Sequence, residues 1–136
     1  MIMSLINSDD QLKEKFNILR SMKGVGPVLA MTLLTDLPEL GGADKKEIAA
    51  LIGVAPITHQ SGKYTGKASI KYGRFDARRV LYMGALSASR HNHKFKVFYE
   101  KLIAAGKPHK VALVAVMRKM IVILNVMVQS KKHFFA

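Results

Sequence analysis

The sequence contains no cysteine and no tryptophan. Without cysteine there can be no disulfide scaffold, and no zinc or iron–sulfur site that depends on thiolate ligands. The chain is nevertheless not a disordered tail, because 49% of its 136 residues are hydrophobic and can form a core. That length predicts one domain, covering residues 1–136.

Acidic residues are scarce and unevenly distributed. Residues 1–60 contain six Lys or Arg and seven Asp or Glu, whereas residues 61–136 contain sixteen Lys or Arg but only Asp76 and Glu100. The formal net charge is +13, and the excess lies in the second part. A protein that needs only solubility mixes both signs over its surface, so this asymmetry indicates a polyanionic partner such as nucleic acid.

Uninterrupted hydrophobic runs are also few. Residues 1–10 lack the basic start of a secretory signal peptide, so we expect no leader and a cytoplasmic protein. The most apolar stretch, residues 111–128, contains Arg118, Lys119 and Asn125. A central Arg or Lys costs about 2.5–3.5 kcal/mol in a membrane-inserted helix, which favours a buried core helix here and no membrane partner.

The spacing of apolar residues predicts an all-α fold. Ser8-Asp9-Asp10-Gln11 has the form of a capping box, and Leu12, Phe16 and Leu19 follow with helical spacing. Glycine and proline separate this segment from the later ones. Pro27 suits the first turn of the second helix, and Asp44-Lys45-Lys46-Glu47 has the form of another N-terminal cap. The predicted helices cover about 9–22, 28–36, 48–52, 75–90, 95–103 and 108–129.

Residues 54–73 are the least helical part of the chain. They contain three glycines, Pro56 and several Ser and Thr, which predict a loop of about twenty residues. Loops this long are usually functional or disordered. We expect a functional loop, which the sequence also allows to form a short β-hairpin, followed by a helical remainder at 74–130.

The segment Met22–Ala30 is similar to the turn of a helix-hairpin-helix motif, which would occupy about residues 9–36. Gly24 and Gly26 would let the backbone turn tightly and approach a phosphate, while Lys23 adds a positive charge. The N–H groups at the start of the next helix would bind that phosphate without reading the base sequence. A plain helical hairpin with a glycine-rich turn fits the local pattern equally well.

A series of basic residues runs through the long loop into the next helix: Lys63, Lys67, Lys71, Arg74, Arg78 and Arg79. Tyr64 and Tyr72 lie among them, and aromatic rings between cations are typical of nucleic-acid binding. Positive charge at the start of a helix opposes the helix dipole, and a bound phosphate would offset this cost. The ordinary alternative is a solvated charge run, which the scarcity of carboxylates disfavours.

Ser61 lies in the same loop, next to Gly62 and two residues from His59. A serine hydroxyl becomes a useful nucleophile only when a base or an electrostatic field activates it. The arginines that follow the loop could neutralise a phosphate under attack. From spacing alone, however, a Ser-Gly pair is more often simply a turn.

Residues that bind metals are not grouped in the sequence. The five histidines form no helical His-x-x-x-His pair, and the basic part contains two carboxylates. A two-metal nuclease centre needs several clustered carboxylates. We therefore expect no metal site and no cofactor in this chain.

Several short motifs occur in a specific order: Gly24-Val25-Gly26-Pro27, Leu51–Pro56, Ser61-Gly62-Lys63, Ile70–Gly73, Arg78–Leu86, Tyr99–Leu102 and Gly106–Met120. In this order and spacing, the chain resembles the C-terminal transposase domain of the insertion-sequence-110 family, also called the 116/110/902 family. The resemblance covers about Ile18–Met127, which is most of the chain.

The resemblance implies a DNA-acting enzyme whose RuvC-like N-terminal domain, absent from this chain, binds Mg²⁺ through a carboxylate tetrad. It implies that Ser61 is the nucleophile that attacks a DNA phosphodiester and forms a covalent protein–DNA intermediate. It also implies an element-encoded guide RNA, a homo-oligomeric assembly and a prokaryotic, nucleoid-associated location. The isolated chain should then be inactive without the carboxylate domain.

We thus consider three hypotheses for the function. The first is the DNA-binding, serine-nucleophile domain of a transposase that acts during insertion-sequence transposition. The second is a non-catalytic helix-hairpin-helix module that binds DNA. The third is a cationic protein that binds RNA or a membrane surface.

Overall fold

The computed structural model describes residues 9–54 and 75–135, which form six helices and no strand. The prediction of an all-α fold is confirmed. The short β-hairpin allowed at 54–73 falls, apart from Val54, outside the described residues. The helices are α1 (Asp10–Arg20), α2 (Pro27–Asp36), α3 (Lys45–Leu51), α4 (Phe75–His91), α5 (His93–Ala104) and α6 (His109–Ser130).

The first helix is capped by Asp9 and begins one residue later. Asp9 Oδ1 accepts hydrogen bonds from the N–H groups of Gln11 and Leu12, at 2.9 and 3.1 Å. The prediction of a capping box that starts at Ser8 is therefore wrong by one residue. A carboxylate at the positive end of the helix dipole accepts these hydrogen bonds more strongly than a hydroxyl does.

The starts of α2 and α3 follow the predicted signals, and α5 begins at a cap that was not predicted. Pro27 occupies the first turn of α2, where its missing N–H costs nothing. Asp44 Oδ1 accepts a hydrogen bond of 2.8 Å from the N–H of Glu47 and so caps α3. Asn92 caps α5 through the N–H of Lys94.

The core lies around α4 and α6. Helix α6 packs against α1, α3, α4 and α5, and α4 packs against α2, α5 and α6. The buried face of α4 carries Ala77, Leu81, Ala85 and Ala88, spaced by three or four residues as one helical stripe requires. Because three of these side chains are alanines, the neighbouring helices can approach α4 closely.

Helix α6 is long and apolar enough to cross a membrane by length and composition alone, but 56% of its apolar window is buried inside the protein. Arg118 Nε donates a 2.8 Å hydrogen bond to the carbonyl oxygen of Val54. Lys119 Nζ lies 4.2 Å from the centroid of the Phe98 ring, within the range of a cation–π interaction. This packing fits the prediction of a buried core helix.

Two buried asparagines tie loops to this core. Asn125 accepts a 2.6 Å hydrogen bond from the N–H of Gly41 and donates one of 2.8 Å to the carbonyl oxygen of Ala43. Asn92 Nδ2 donates a 2.9 Å hydrogen bond to the carbonyl oxygen of Lys23. The turn between α1 and α2 is therefore held directly by the junction of α4 and α5.

The residues after α6 return to the first helix. The N–H of Phe134 donates a 2.8 Å hydrogen bond to Ser21 Oγ. The Phe134 ring stacks on that of Phe95, with 6.1 Å between their centroids. The end of the described chain thus packs against the end of α1 and against α5.

Candidate nucleic-acid interface

A basic cleft lies between the first half of α4 and the start of α6. Its volume is about 420 Å³. Two arginines from α4 and a lysine from α6 surround a partly apolar floor. The lining residues are Arg78, Arg79, Tyr82, Lys110, Val114 and Met117, and we call this site the basic cleft.

The three cations of the basic cleft differ in how they are held. Arg79 Nη2 lies 3.5 Å from Asp76 Oδ1, and both side chains are 72% exposed, so this ion pair contributes little. Lys110 is exposed. Arg78 is half-buried, and its Nε atom is buried without a hydrogen-bond partner.

The unpartnered Nε of Arg78 is an argument for a ligand. A buried donor without an acceptor costs about 1–3 kcal/mol, and more when the group is charged. An anion in the basic cleft that reaches Arg78 Nε would supply the acceptor. Of the described residues that line the basic cleft, none is a carboxylate that could do so instead.

The start of α6 adds to the positive potential. Pro108 precedes the helix, and no side chain caps its first turn. The free N–H groups and the positive end of the dipole lie there together with Lys110. Phosphate is the anion for which such a combination is best known.

Sequence reasoning did not select Lys110 or Tyr82 as site residues. A signal for Lys110 was present, because Pro108 predicts that a helix begins there and that Lys110 lies in its first turn. The argument from the helix dipole, applied to Arg78 and Arg79, applies to Lys110 as well. Tyr82 carried no such signal, since only the packing of α4 against α6 places it in the basic cleft.

The turn between α1 and α2 presents one of its two glycines to open space. Gly24 has φ +110°, and a Cβ there would lie 2.8 Å from Ala88 Cβ, so both conformation and packing require glycine. A Cβ on Gly26 would meet nothing within 4 Å. Gly26 is the N-cap of α2, and no side chain caps that helix.

Two helices joined by a short turn are thus present, while the phosphate-binding role of the turn stays a prediction. Lys23 is exposed and free to meet an anion through its side chain. The contact with Ala88 is enough to explain why Gly24 is a glycine, and no ligand is needed for that explanation. Gly26 is the position at which a phosphate could approach the backbone.

The remaining predicted site residues lie outside the described residues. They are Ser61, Lys63, Lys67, Lys71 and Arg74, and the predicted functional loop at 54–73 falls there too, apart from Val54. The described residues on either side of this segment adjoin the two helices of the basic cleft. Val54 is hydrogen-bonded to Arg118 of α6, and Phe75 begins α4.

The described residues offer no metal site. Within 9–54 and 75–135, no three His, Asp or Glu side chains come together in a way that could hold an ion. They therefore do not fit the Mg²⁺ that the family resemblance assigns to another domain.

Comparison with known proteins identifies the family. The sequence model described as the transposase IS116/IS110/IS902 family matches residues 16–100, well over half of the chain. This chain belongs to that family.

Relatives extend the similarity over nearly the whole chain. It is 29% identical to the uncharacterized 44.8 kDa protein of insertion element IS116 from Streptomyces clavuligerus over 94% of this chain. It is 28% identical to the pilin gene-inverting protein of Moraxella bovis over 98% of this chain, and 27% identical to the uncharacterized 42 kDa protein of insertion element IS900 from Mycobacterium paratuberculosis over 91%. The chain spans only 34%, 42% and 33% of the lengths of these three relatives.

Proposed function

We propose that this chain is the DNA-handling, serine-bearing part of a transposase, in which the basic cleft holds a DNA phosphate and Ser61 attacks it. The observation that carries the proposal is the basic cleft itself, with three cations, no lining carboxylate among the described residues and a buried Arg78 Nε that lacks an acceptor. Membership of the transposase family supports DNA as the anion.

The connectivity of the chain supports the role of Ser61. The segment that contains it begins after Val54, which is held by Arg118 one residue beyond the cleft residue Met117. It ends at Phe75, one turn before Arg78. A segment attached at both ends to the walls of the basic cleft can deliver a residue to a phosphate bound there.

The proposed reaction is a transfer of the phosphoryl group to serine. The Ser61 hydroxyl oxygen forms a bond to the DNA phosphorus, and the bond from phosphorus to one sugar oxygen breaks. The hydroxyl loses its proton, and the departing sugar oxygen takes one up. Negative charge on the phosphoryl oxygens grows as the bond forms, and Arg78, Arg79 and Lys110 stabilise it.

The deciding experiment tests the covalent bond directly. The chain is joined to the remaining part of a full-length relative and incubated with DNA and the element's RNA. We expect a covalent protein–DNA adduct that survives denaturation. Ser61→Ala abolishes the adduct but leaves DNA binding intact, whereas the matched variants Ser69→Ala and Ser87→Ala keep both.

Other outcomes would show which part of the proposal is wrong. An adduct that persists in Ser61→Ala, or that maps to Ser69 or Ser87, contradicts the assignment of the nucleophile. DNA binding without any adduct in a complete, folded assembly favours the non-catalytic helix-hairpin-helix module. That second function has its own support in the uncapped start of α2 and the open space beside Gly26.

The wider assembly is proposed on the family resemblance. It comprises a magnesium-binding RuvC-like domain on another part of the protein, an element-encoded guide RNA and several copies of the protein. It works in the cytoplasm of a prokaryotic cell, at the nucleoid. This chain alone binds DNA but does not cleave it.

A further inference from the structure

A second cleft opens beside the basic cleft, with a volume of about 380 Å³. It lies where the end of α4, the middle of α5 and the first residue of α6 meet. Its lining residues are Leu86, Ser89, Arg90, Lys96, Tyr99, Glu100 and His109, and we call this site the second cleft.

The two clefts follow one ridge of α4. Arg78 and Tyr82 line the basic cleft, while Leu86 and Arg90 line the second. Successive members of this series are four residues apart, so they are neighbours on a ridge that winds about 40° around the helix at each step. The start of α6 lies between the clefts, because His109 lines the second and the next residue, Lys110, lines the first.

The length and chemistry of this path suit a strand of nucleic acid. Twelve residues separate Arg78 from Arg90, which is about 18 Å of helix. At about 3.4 Å per nucleotide this corresponds to about five nucleotides of B-form DNA, and to fewer in an extended strand. Each cleft offers two or three basic side chains, and Glu100 is the sole carboxylate among the described residues that line them.

Each cleft also contains one half-buried tyrosine ring, Tyr82 in the first and Tyr99 in the second. A positively charged groove with aromatic rings at intervals is the arrangement by which proteins bind single strands, since every base can stack on a ring. In a duplex the bases are already stacked on each other, and these rings would have no partner.

We infer that the second cleft continues the basic cleft as a binding path for single-stranded DNA, held by Arg90, Lys96 and His109 and with a base stacked on Tyr99. This inference rests on the proposed function, because it takes the phosphate in the basic cleft to belong to DNA. It adds that the strand leaves the reaction site unpaired, along α4 past the start of α6.

The test compares short and long oligonucleotides bound to the whole chain. A single strand of about three nucleotides fits one cleft, and one of about six nucleotides spans both. The native chain binds the longer strand more tightly and with a steeper dependence on salt. Arg90→Ala with Lys96→Ala removes this gain and lowers the salt slope by about 0.7 for each phosphate that is no longer neutralised.

Matched variants distinguish binding along the two clefts from general attraction to positive charge on the surface. Lys94→Ala with Lys101→Ala removes the same charge from exposed positions of α5 that line neither cleft. This variant still binds the longer strand more tightly than the shorter one. Glu100→Gln removes the carboxylate and tightens binding of the longer strand. Tyr99→Leu weakens it by about tenfold, whereas Tyr99→Phe, which keeps the ring and loses only the hydrogen bond between its hydroxyl and His109 Nδ1, weakens it less.

The outcomes distinguish the two proposals. If the longer strand loses no more affinity in the Arg90/Lys96 variant than in the Lys94/Lys101 variant, the second cleft is not part of the path. Equal gains for duplex DNA, or stronger binding of single-stranded RNA, overturn the assignment to single-stranded DNA. If Arg78→Ala with Arg79→Ala leaves DNA binding unchanged, the basic cleft and the proposed function fail together.

Discussion

Asn125 shows how much a single polar residue can do in an apolar helix. It is only 2% exposed, and both ends of its amide are used: the oxygen accepts from Gly41 and the nitrogen donates to Ala43. The loop between α2 and α3 therefore depends on a side chain of the last helix. Since Gly41 also has φ +93°, this bend requires both a glycine and an external partner.

Replacing Asn125 by Ala should destabilise the protein by about 2–4 kcal/mol, because it leaves a partly buried N–H and a buried carbonyl without partners. Urea unfolding followed by circular dichroism measures the loss. Asn17→Ala is the matched control, since Asn17 is exposed on α1 and its truncation changes the stability by only a few tenths of a kcal/mol. Equal stability of the two variants would mean that the amide of Asn125 contributes nothing.

The turn between α1 and α2 contains one glycine that the packing requires and one that faces open space. Gly24 sits against Ala88 of α4, so the second helix of the pair is positioned by the core. Gly26, two residues further on, faces open space at the start of α2. A local glycine pattern does not distinguish the two, because the distinction comes from α4.

Alanine at the two glycines should therefore have different effects. Gly24→Ala costs about 2 kcal/mol or more, through its left-handed φ and its contact with Ala88. Gly26→Ala costs less than about 1 kcal/mol, since its backbone is extended and space is available. Thermal unfolding of both variants tests this ordering.

Gly26→Val then tests the binding role of the turn. If a phosphate approaches the backbone at the start of α2, the valine side chain crowds it and lowers the affinity for DNA. Unchanged affinity in a folded Gly26→Val variant would show that the turn between α1 and α2 is purely structural.

The fold brings together basic residues that are distant in the sequence. Arg78, Arg79 and Lys110 meet at the junction of α4 and α6, although Lys110 is far from the arginines in the sequence. The net charge of +13 thus includes a local concentration of charge, in addition to charge spread over the surface.

Binding to duplex DNA should fall steeply with salt, with a slope of about −0.9 for each phosphate neutralised. Replacing Arg78, Arg79 and Lys110 together by Ala should make the slope shallower by up to about 2.7, because up to three phosphates then keep their counterions. Fluorescence anisotropy at several salt concentrations gives the slope. A native slope near zero would rule out phosphate binding as the source of affinity.

The sequence was most informative where the signal is local. Glycine and proline mark the helix ends, and the predicted starts at Pro27 and Asp44 are confirmed because capping depends on neighbouring residues. Contacts between distant segments of the chain could not be predicted from such local signals. In the sequence, Asn125 indicates only that α6 is poorly suited to a membrane. No local pattern predicts its hydrogen bond with Gly41, or the contact between Gly24 and Ala88.

The central position of α6 has a consequence for synthesis on the ribosome. Helix α6 is the last of the described helices to be translated, yet α1, α3, α4 and α5 all pack on it, and Phe134 beyond it bonds to Ser21. The earlier helices therefore emerge with their apolar faces uncovered and cannot complete the core until α6 follows. Nascent chains halted before His109 should bind chaperones and be cut readily by proteases, and protection should appear only once α6 has been added.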